Sequence, residues 1–225
     1  MKQIAAVQAA IEKACLKVNR CPSEVKLLAI SKSVPVEVIH KAYQAGLNLF
    51  GENRVQELTQ KIPLLPAEIK WHLVGTLQRN KVKQVIGRVD LIHSVDRLSL
   101  AREISKWAQK SDITVKVLLQ VNIAGEKTKK GFTVEEVRGQ LETLSNLPNL
   151  QIKGLMTLAP WVQDPEKVRP VFRELRLLAQ ELASMGLANV EMQELSMGMS
   201  NDFPVAIEEG ATIVRIGSRL FGVRN

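Results

Sequence analysis

Hydrophobic positions recur along this chain with two alternating periods. Near the amino end, Ile4, Val7, Ala10, Ile11, Ala14 and Val18 fall close to helical spacing and predict an amphipathic helix over 3–18. Beyond Pro22, short apolar runs rich in β-branched residues alternate with longer helical patterns. The short runs predict eight strands, over 25–31, 47–51, 69–75, 89–95, 114–122, 152–159, 190–196 and 212–217. The residues between them mark helix ends. A helix over 36–45 stops at Gly46, and one capped by Asn53 runs to about residue 62. Further helices are expected over 80–86 before Gly87, over 97–109, from a Thr133/Glu136 capping box through Leu144, over 165–185 before Gly186, and over 201–209 before Gly210.

Eight strands with a helix after each of the first seven is the count of a closed (β/α)8 barrel, whose parallel strands need right-handed crossovers. An open doubly wound sheet is the alternative, and the lack of a dinucleotide glycine fingerprint argues against it. No linker or shift in composition divides the 225 residues. The expected fold class is therefore α/β, a single TIM-type barrel domain over 1–225 with an extra amino-terminal helix.

Composition narrows the setting. With 45% hydrophobic and 24% charged residues the chain can bury a sizeable core, which argues against disorder. Lys2, Glu12, Lys13 and Lys17 interrupt the amino-terminal pattern too often for a signal peptide or a membrane span, so a cytoplasmic protein without membrane attachment is expected. Cys15 and Cys21 have no second cysteine pair, and His40, His72 and His93 are not spaced near them as metal ligands are. Free thiols in a reducing compartment, and no metal, are expected. The net charge of +8 raises nucleic acid as a partner. The basic residues are spread out, however, with only short clusters at 79–83 and 127–130, and an aromatic content of 4% offers few stacking platforms. A solvated basic surface is the expectation.

Candidate chemistry begins at 26–35, KLLAISKSVP, where an apolar run leads straight into Lys32. That places a lysine at the carboxyl end of a buried strand, the end at which barrels hold their ligands. An amine held against apolar walls loses hydration and its pKa falls, so that it can attack a carbonyl and form a Schiff base. A solvated lysine at a strand end is the plain alternative, and the other loops must decide. Ser196, Gly198 and Ser200 precede a helix opening at Asn201, and Gly217 and Ser218 follow the last strand. The loops after strands seven and eight are where barrels often bind phosphate, through backbone N–H groups and helix dipoles. Arg215 lies inside an apolar strand, where it must meet a carboxylate such as Glu52 or Glu194, or else a ligand acceptor. A Schiff-base lysine, a phosphate cradle and a buried arginine facing a ring together describe pyridoxal 5′-phosphate. Plainer roles are open to their neighbours: His72 as a satisfied core histidine, Met156, Met197 and Met199 as core filler, Asn53 as a helix cap.

Six segments sharpen this reading: AISK at 29–32, FGENRVQE at 50–57, WHLVGTLQRNK at 71–81, GLMTLAP at 154–160, LSMGMSNDFPVAI at 195–207 and VRIGSRLFG at 214–222. In order, and across nearly the whole chain, they closely resemble the pyridoxal phosphate homeostasis proteins, also called the YggS or PROSC family. The resemblance implies the fold type III barrel of alanine racemase, with the cofactor held on Lys32 as an internal aldimine. It implies that Ser196, the backbone near Met199 and Ser200, and Gly217 and Ser218 hold the phosphate. It places Arg215 at the pyridine nitrogen, with Asn53, His72 and Met156 along the ring. Thr76 departs from the pattern, standing where many relatives have histidine.

An arginine keeps its proton, so a pyridine nitrogen bonded to Arg215 stays unprotonated and the ring is a weak electron sink. Racemases of the resembled fold use two bases, a lysine and a tyrosine from a second domain. This chain has one tyrosine, Tyr43, in the helix expected after the first strand, and no second domain is expected. The expectation is therefore a carrier, buffer or delivery protein for pyridoxal 5′-phosphate with no catalytic residue. A small racemase-like enzyme using a base such as His72 is the alternative. PLP-dependent apoenzymes or a regulatory protein are the expected partners, and a monomer is the expected state.

Overall fold

Parallel pairing closes the strands into a barrel. In the computed structural model, which describes residues 2–126 and 129–222, β1 (Lys26–Ile30), β2 (Leu49–Glu52), β3 (Lys70–Leu73), β4 (Leu91–Val95), β5 (Val115–Gln120), β6 (Leu150–Met156), β7 (Val190–Ser196) and β8 (Ile213–Ile216) lie in sequence order around it. The ring closes where β1 meets β8, with Lys26 opposite Ile213 and Ala29 opposite Ile216. Every expected strand is present, with ends displaced by up to three residues. The largest displacement is instructive: Leu158 and Ala159 continue the apolar run of β6 but lie beyond its ladder, in the loop at the barrel mouth. Apolarity reports burial, and only the pairing ends a strand.

The helices are α1 (Lys2–Leu16), α2 (Val36–Gln44), α3 (Val55–Lys61), α4 (Leu98–Lys110), α5 (Val134–Ser145), α6 (Arg169–Ser184), α7 (Phe203–Glu208) and α8 (Ser218–Phe221). The capping box at the start of α5 forms as expected: the Glu136 N–H donates to Thr133 Oγ1 at 3.1 Å, and the Thr133 N–H donates to Glu136 Oε2 at 2.8 Å. Three expectations need correction. The segment 80–86 is not an α-helix but a 3-10 turn, Arg79–Gln84, which suits the spacing of the buried Val82 and Val85, three residues apart. Asn53 does not cap α3, because Arg54 occupies that position. The helix after β7 opens at Phe203 rather than Asn201, and the short α8 was not foreseen. Of the basic cluster at 127–130, Lys127 and Thr128 lie outside the described residues.

Alternation along the strands divides the apolar residues into two cores. The larger lies between barrel and helices and includes Ala29, Phe50, Leu73, Ile92, Leu119, Leu155 and Val214. A smaller one, Leu28, Ile30, Leu91, Leu118, Met156 and Ile213, fills the barrel interior. The opening helix α1 lays Ile4, Val7, Ile11 and Ala14 into the outer core and packs against α7 and α8. Both cysteines are free thiols, Cys15 buried and Cys21 exposed. No helix among the described residues is long and apolar enough to cross a membrane.

Candidate functional site

The carboxyl ends of the strands open into a cavity of about 580 Å³. Its wall brings together Lys32, Asn53, Met199, Ser200, Arg215, Gly217 and Ser218 from loops far apart in the chain. Thr76 and Trp161 also line it, Trp161 being 83% exposed at the rim. Met156, Ser196 and His72, the other expected site residues, are buried inside the barrel and do not line this cavity. Close approach of two loops needs glycine: a Cβ on Gly75 would sit 2.1 Å from the Asn53 carbonyl oxygen.

Lys32 sits where the strand pattern puts it, just past β1, but its surroundings differ from expectation. It is exposed at the mouth rather than stripped of water by apolar walls. Its backbone is nonetheless held on both sides. The Ser31 N–H donates to the Gly51 carbonyl at 2.9 Å, Ser31 Oγ donates to Glu52 Oε1 at 2.8 Å, and Lys61 Nζ donates to the Ser31 carbonyl at 2.8 Å. On the other side Ser33, with φ +57°, donates its N–H to Glu57 Oε2 at 2.7 Å. Lys61 also contacts Glu52 and Glu57, at 2.7 and 3.2 Å. Burial pushes the Glu52 carboxyl above its ordinary range against the pull of Lys61. Sequence reasoning missed Lys61 and Glu57, although their spacing of four residues was a signal for an ion pair on a helix face.

Arg215 is 5% exposed, and neither carboxylate considered for it is its partner. Glu52 is taken by Lys61, and Glu194 by Lys26 and the Thr212 hydroxyl. The guanidinium instead donates to Ser196 Oγ at 2.7 Å and to the Thr157 carbonyl at 2.8 Å. Burial lowers its pKa to about 10, with Asp202 opposing, which leaves it cationic at neutral pH. Ser196 Oγ also meets His93 Nδ1 at 2.8 Å, and His93 Nε2 meets His72 Nδ1 at 2.9 Å. Burial, reinforced by Lys26 and Lys70, pushes His72 down to about 3, and burial with neighbouring positive charge holds His93 well below its usual range. Both rings are therefore neutral. Arg215 can only donate, so Ser196 Oγ accepts from it, while the second lone pair and the proton of that hydroxyl leave it able either to accept from or to donate to His93 Nδ1. When Ser196 donates, His93 gives its Nε2 proton to His72 Nδ1 and the His72 proton lies on Nε2; when Ser196 accepts, both ring protons lie on Nδ1. His93 escaped sequence reasoning, where it stood only as a residue badly spaced for a metal.

Beside Arg215, whose N–H donates to the Gly198 carbonyl at 3.0 Å, the turn after β7 is fixed by Gly198, whose φ is +86° and whose added Cβ would lie 2.6 Å from Ala206 Cβ. Asp202, 5% exposed and raised by burial, accepts the Met199 N–H through Oδ1 at 2.6 Å. That bond occupies one amide expected to face the phosphate and closes the turn so that Met199 and Ser200 stand beside Gly217 and Ser218. The donors that remain, a cationic guanidinium and a primary amine suit a ligand with an anionic group at one end and an electrophile at the other.

The chain matches the family model described as alanine racemase, N-terminal domain, over residues 7–225. It is 51% identical to the pyridoxal phosphate homeostasis protein of Aquifex aeolicus over 95% of this chain and 93% of that one. The Escherichia coli protein of the same name is 36% identical, over 99% and 95% of the two chains. Among solved structures, PipY of Synechococcus elongatus with PLP bound superposes with a TM-score of 0.82 at 38% identity, covering 95% of this chain and all of that one. An alanine racemase from Corynebacterium glutamicum shares the fold, with a TM-score of 0.70 at 16% identity over 100% of this chain and 62% of that one.

Proposed function

From the premise that this chain belongs to the pyridoxal phosphate homeostasis protein family, built on the alanine racemase amino-terminal barrel, we propose that it binds pyridoxal 5′-phosphate and carries, buffers or delivers it inside the cell. The observation that carries the reading is one cavity holding an amine, a buried guanidinium and the two turns after β7 and β8. Bound, the cofactor would supply an aldehyde able to condense with a primary amine, and Lys32 is the residue on the cavity wall that would hold it in that way. Ser200, Gly217 and Ser218 would hold the phosphate, and Asp202 keeps the first of those turns closed. Arg215 would face the ring nitrogen, anchored from behind by Ser196 and Thr157. Asn53 lines the same wall, while Met156 and Ser196 support it from the barrel interior.

The proton inventory favours a carrier over an enzyme. Titratable side chains on the cavity wall are Lys32, Asp202 and Arg215. Arg215 does not release its proton at neutral pH, and Asp202 is engaged with the Met199 amide. Tyr43 packs from α2 against the outer core, and His72 lies below the cavity, neutral and bonded to His93. Neither a tyrosine nor a histidine lines the cavity among the described residues. A monomer, PLP-dependent apoenzymes as recipients and a cytoplasmic setting complete the proposal.

The test is an absorbance spectrum of the purified protein before and after borohydride, followed by peptide mapping. Visible absorbance that is lost on reduction, with the label on the Lys32 peptide, supports the covalent assignment. Colour that persists in Lys32→Ala after free cofactor is removed would refute it. Incubation with L-alanine or L-serine in deuterated water separates carrier from racemase, because α-proton exchange would establish turnover.

A further inference from the structure

The opposite mouth of the barrel is also built for a ligand, and we propose that it binds a small phosphate-bearing anion. A cavity of about 370 Å³ opens there among the first residues of the strands. Four lysines line it, Lys26 from β1, Lys70 from β3, Lys116 from β5 and Lys153 from β6, against two carboxylates, Asp90 and Glu194. Both carboxylates are engaged: Asp90 Oδ2 accepts the Trp71 N–H at 2.9 Å, and Glu194 holds Lys26 and the Thr212 hydroxyl. Lys153 pairs with Glu191. Lys70 and Lys116 form no ion pair among the described residues. Like charges gathered around one cavity repel, and a bound anion would offset that repulsion.

A second observation points the same way. His72, 6% exposed, lines this cavity, and its Nε2 has no hydrogen-bond partner among the described residues. In the tautomer in which Ser196 donates to His93, the chain of side chains across the barrel ends in an Nε2–H donor beside the lysines, the form that an anion in this cavity would select. Cations from separate strands and a buried imidazole surround the cavity from several sides. A tetrahedral phosphate accepts from all those directions, whereas a carboxylate accepts largely in one plane. The site lies at the end of the barrel remote from Lys32 and does not depend on what fills the upper cavity.

The three histidines give a local readout. The protein, with whatever cofactor it retains, is titrated with inorganic phosphate and separately with glycerol 3-phosphate at constant ionic strength, and imidazole NMR resonances are followed. A saturable shift of His72, with the exposed His40 unmoved, is expected. Affinity should fall at least about tenfold in Lys70→Ala and in Lys116→Ala, each losing one charge-assisted contact. Both lysines are exposed, and thermal unfolding checks that the variants stay folded. A response to phosphate alone identifies the free ion as the ligand, and a response to both identifies a phosphate ester as admissible. A His72 resonance that does not move, that moves no more than His40, or that moves equally in the lysine variants overturns the proposal.

Discussion

Arg215 organises the barrel interior because it cannot give up its proton there. Its charge is met by the Ser196 hydroxyl and the Thr157 carbonyl rather than by a carboxylate, so the neutral acceptors beyond Ser196 become part of its solvation. Ser196→Ala would leave Arg215 Nη1 and His93 Nδ1 without a partner, and a loss of about 1–3 kcal/mol in urea unfolding is expected. Unchanged stability would show that the hydroxyl is dispensable. His72 and His93 also set an acid limit. Both are held neutral in the fold, His72 down to about 3, whereas an unfolded histidine takes a proton near 6.5. Below that value the unfolded chain binds protons that the native state refuses, so stability falls as pH drops from about 6.5 toward 3, by up to about 1.4 kcal/mol per pH unit for each ring. Denaturant titrations between pH 6.5 and 5 check this, and His72→Gln should reduce the slope.

At the scale of elements, the loop bearing Lys32 is held by a neighbour. Lys61 at the end of α3 ties the Ser31 carbonyl of the β1 loop to Glu52 of β2. Lys61→Met would leave the fully buried Glu52 carboxylate without its cation, and a loss of about 3–5 kcal/mol at neutral pH is expected. Because the Glu52 carboxyl is already raised, acid should return part of that loss by protonating it, which unfolding at two pH values would reveal. The turn after β7 depends on a backbone shape. Gly198→Ala puts a side chain at φ +86° and against Ala206, so a destabilisation of at least about 1–3 kcal/mol is expected, together with weaker cofactor retention after gel filtration.

For the whole molecule, the informative feature is where the barrel is least zipped. β7 and β8 share one registered pair, Ser196 opposite Ile213. The rest of that seam relies on the Met197 N–H to the Ile213 carbonyl, the Arg215 N–H to the Gly198 carbonyl, the Thr212 N–H to the Leu195 carbonyl and the Thr212 hydroxyl accepting from the Leu195 N–H. The loops proposed to hold phosphate thus leave the weakest seam. Native-state hydrogen exchange should show Leu195 and Met197 opening first, roughly tenfold faster than Leu118 or Leu155 in the densely paired β5 and β6. Equal protection would mean that the barrel opens only as a unit.

Strand count and strand order were legible in the sequence, because alternating runs are local signals, whereas of the expected site residues Met156, Ser196 and His72 lie inside the barrel and do not line the upper cavity. Lys32, Gly217 and Ser218 follow directly from where their strands end. The partners of buried charge were not legible. Glu52 and Glu194 looked equally able to meet Arg215, and only the closed barrel, by turning alternate side chains inward and outward, gave Glu52 to Lys61, Glu194 to Lys26 and Arg215 to Ser196. The lysines of the lower mouth are spread over Lys26 to Lys153 and become one field only when four strands share an axis. Periodicity belongs to neighbours in the chain, whereas the pairing of charges depends on distance in space, which only the closed ring of strands sets.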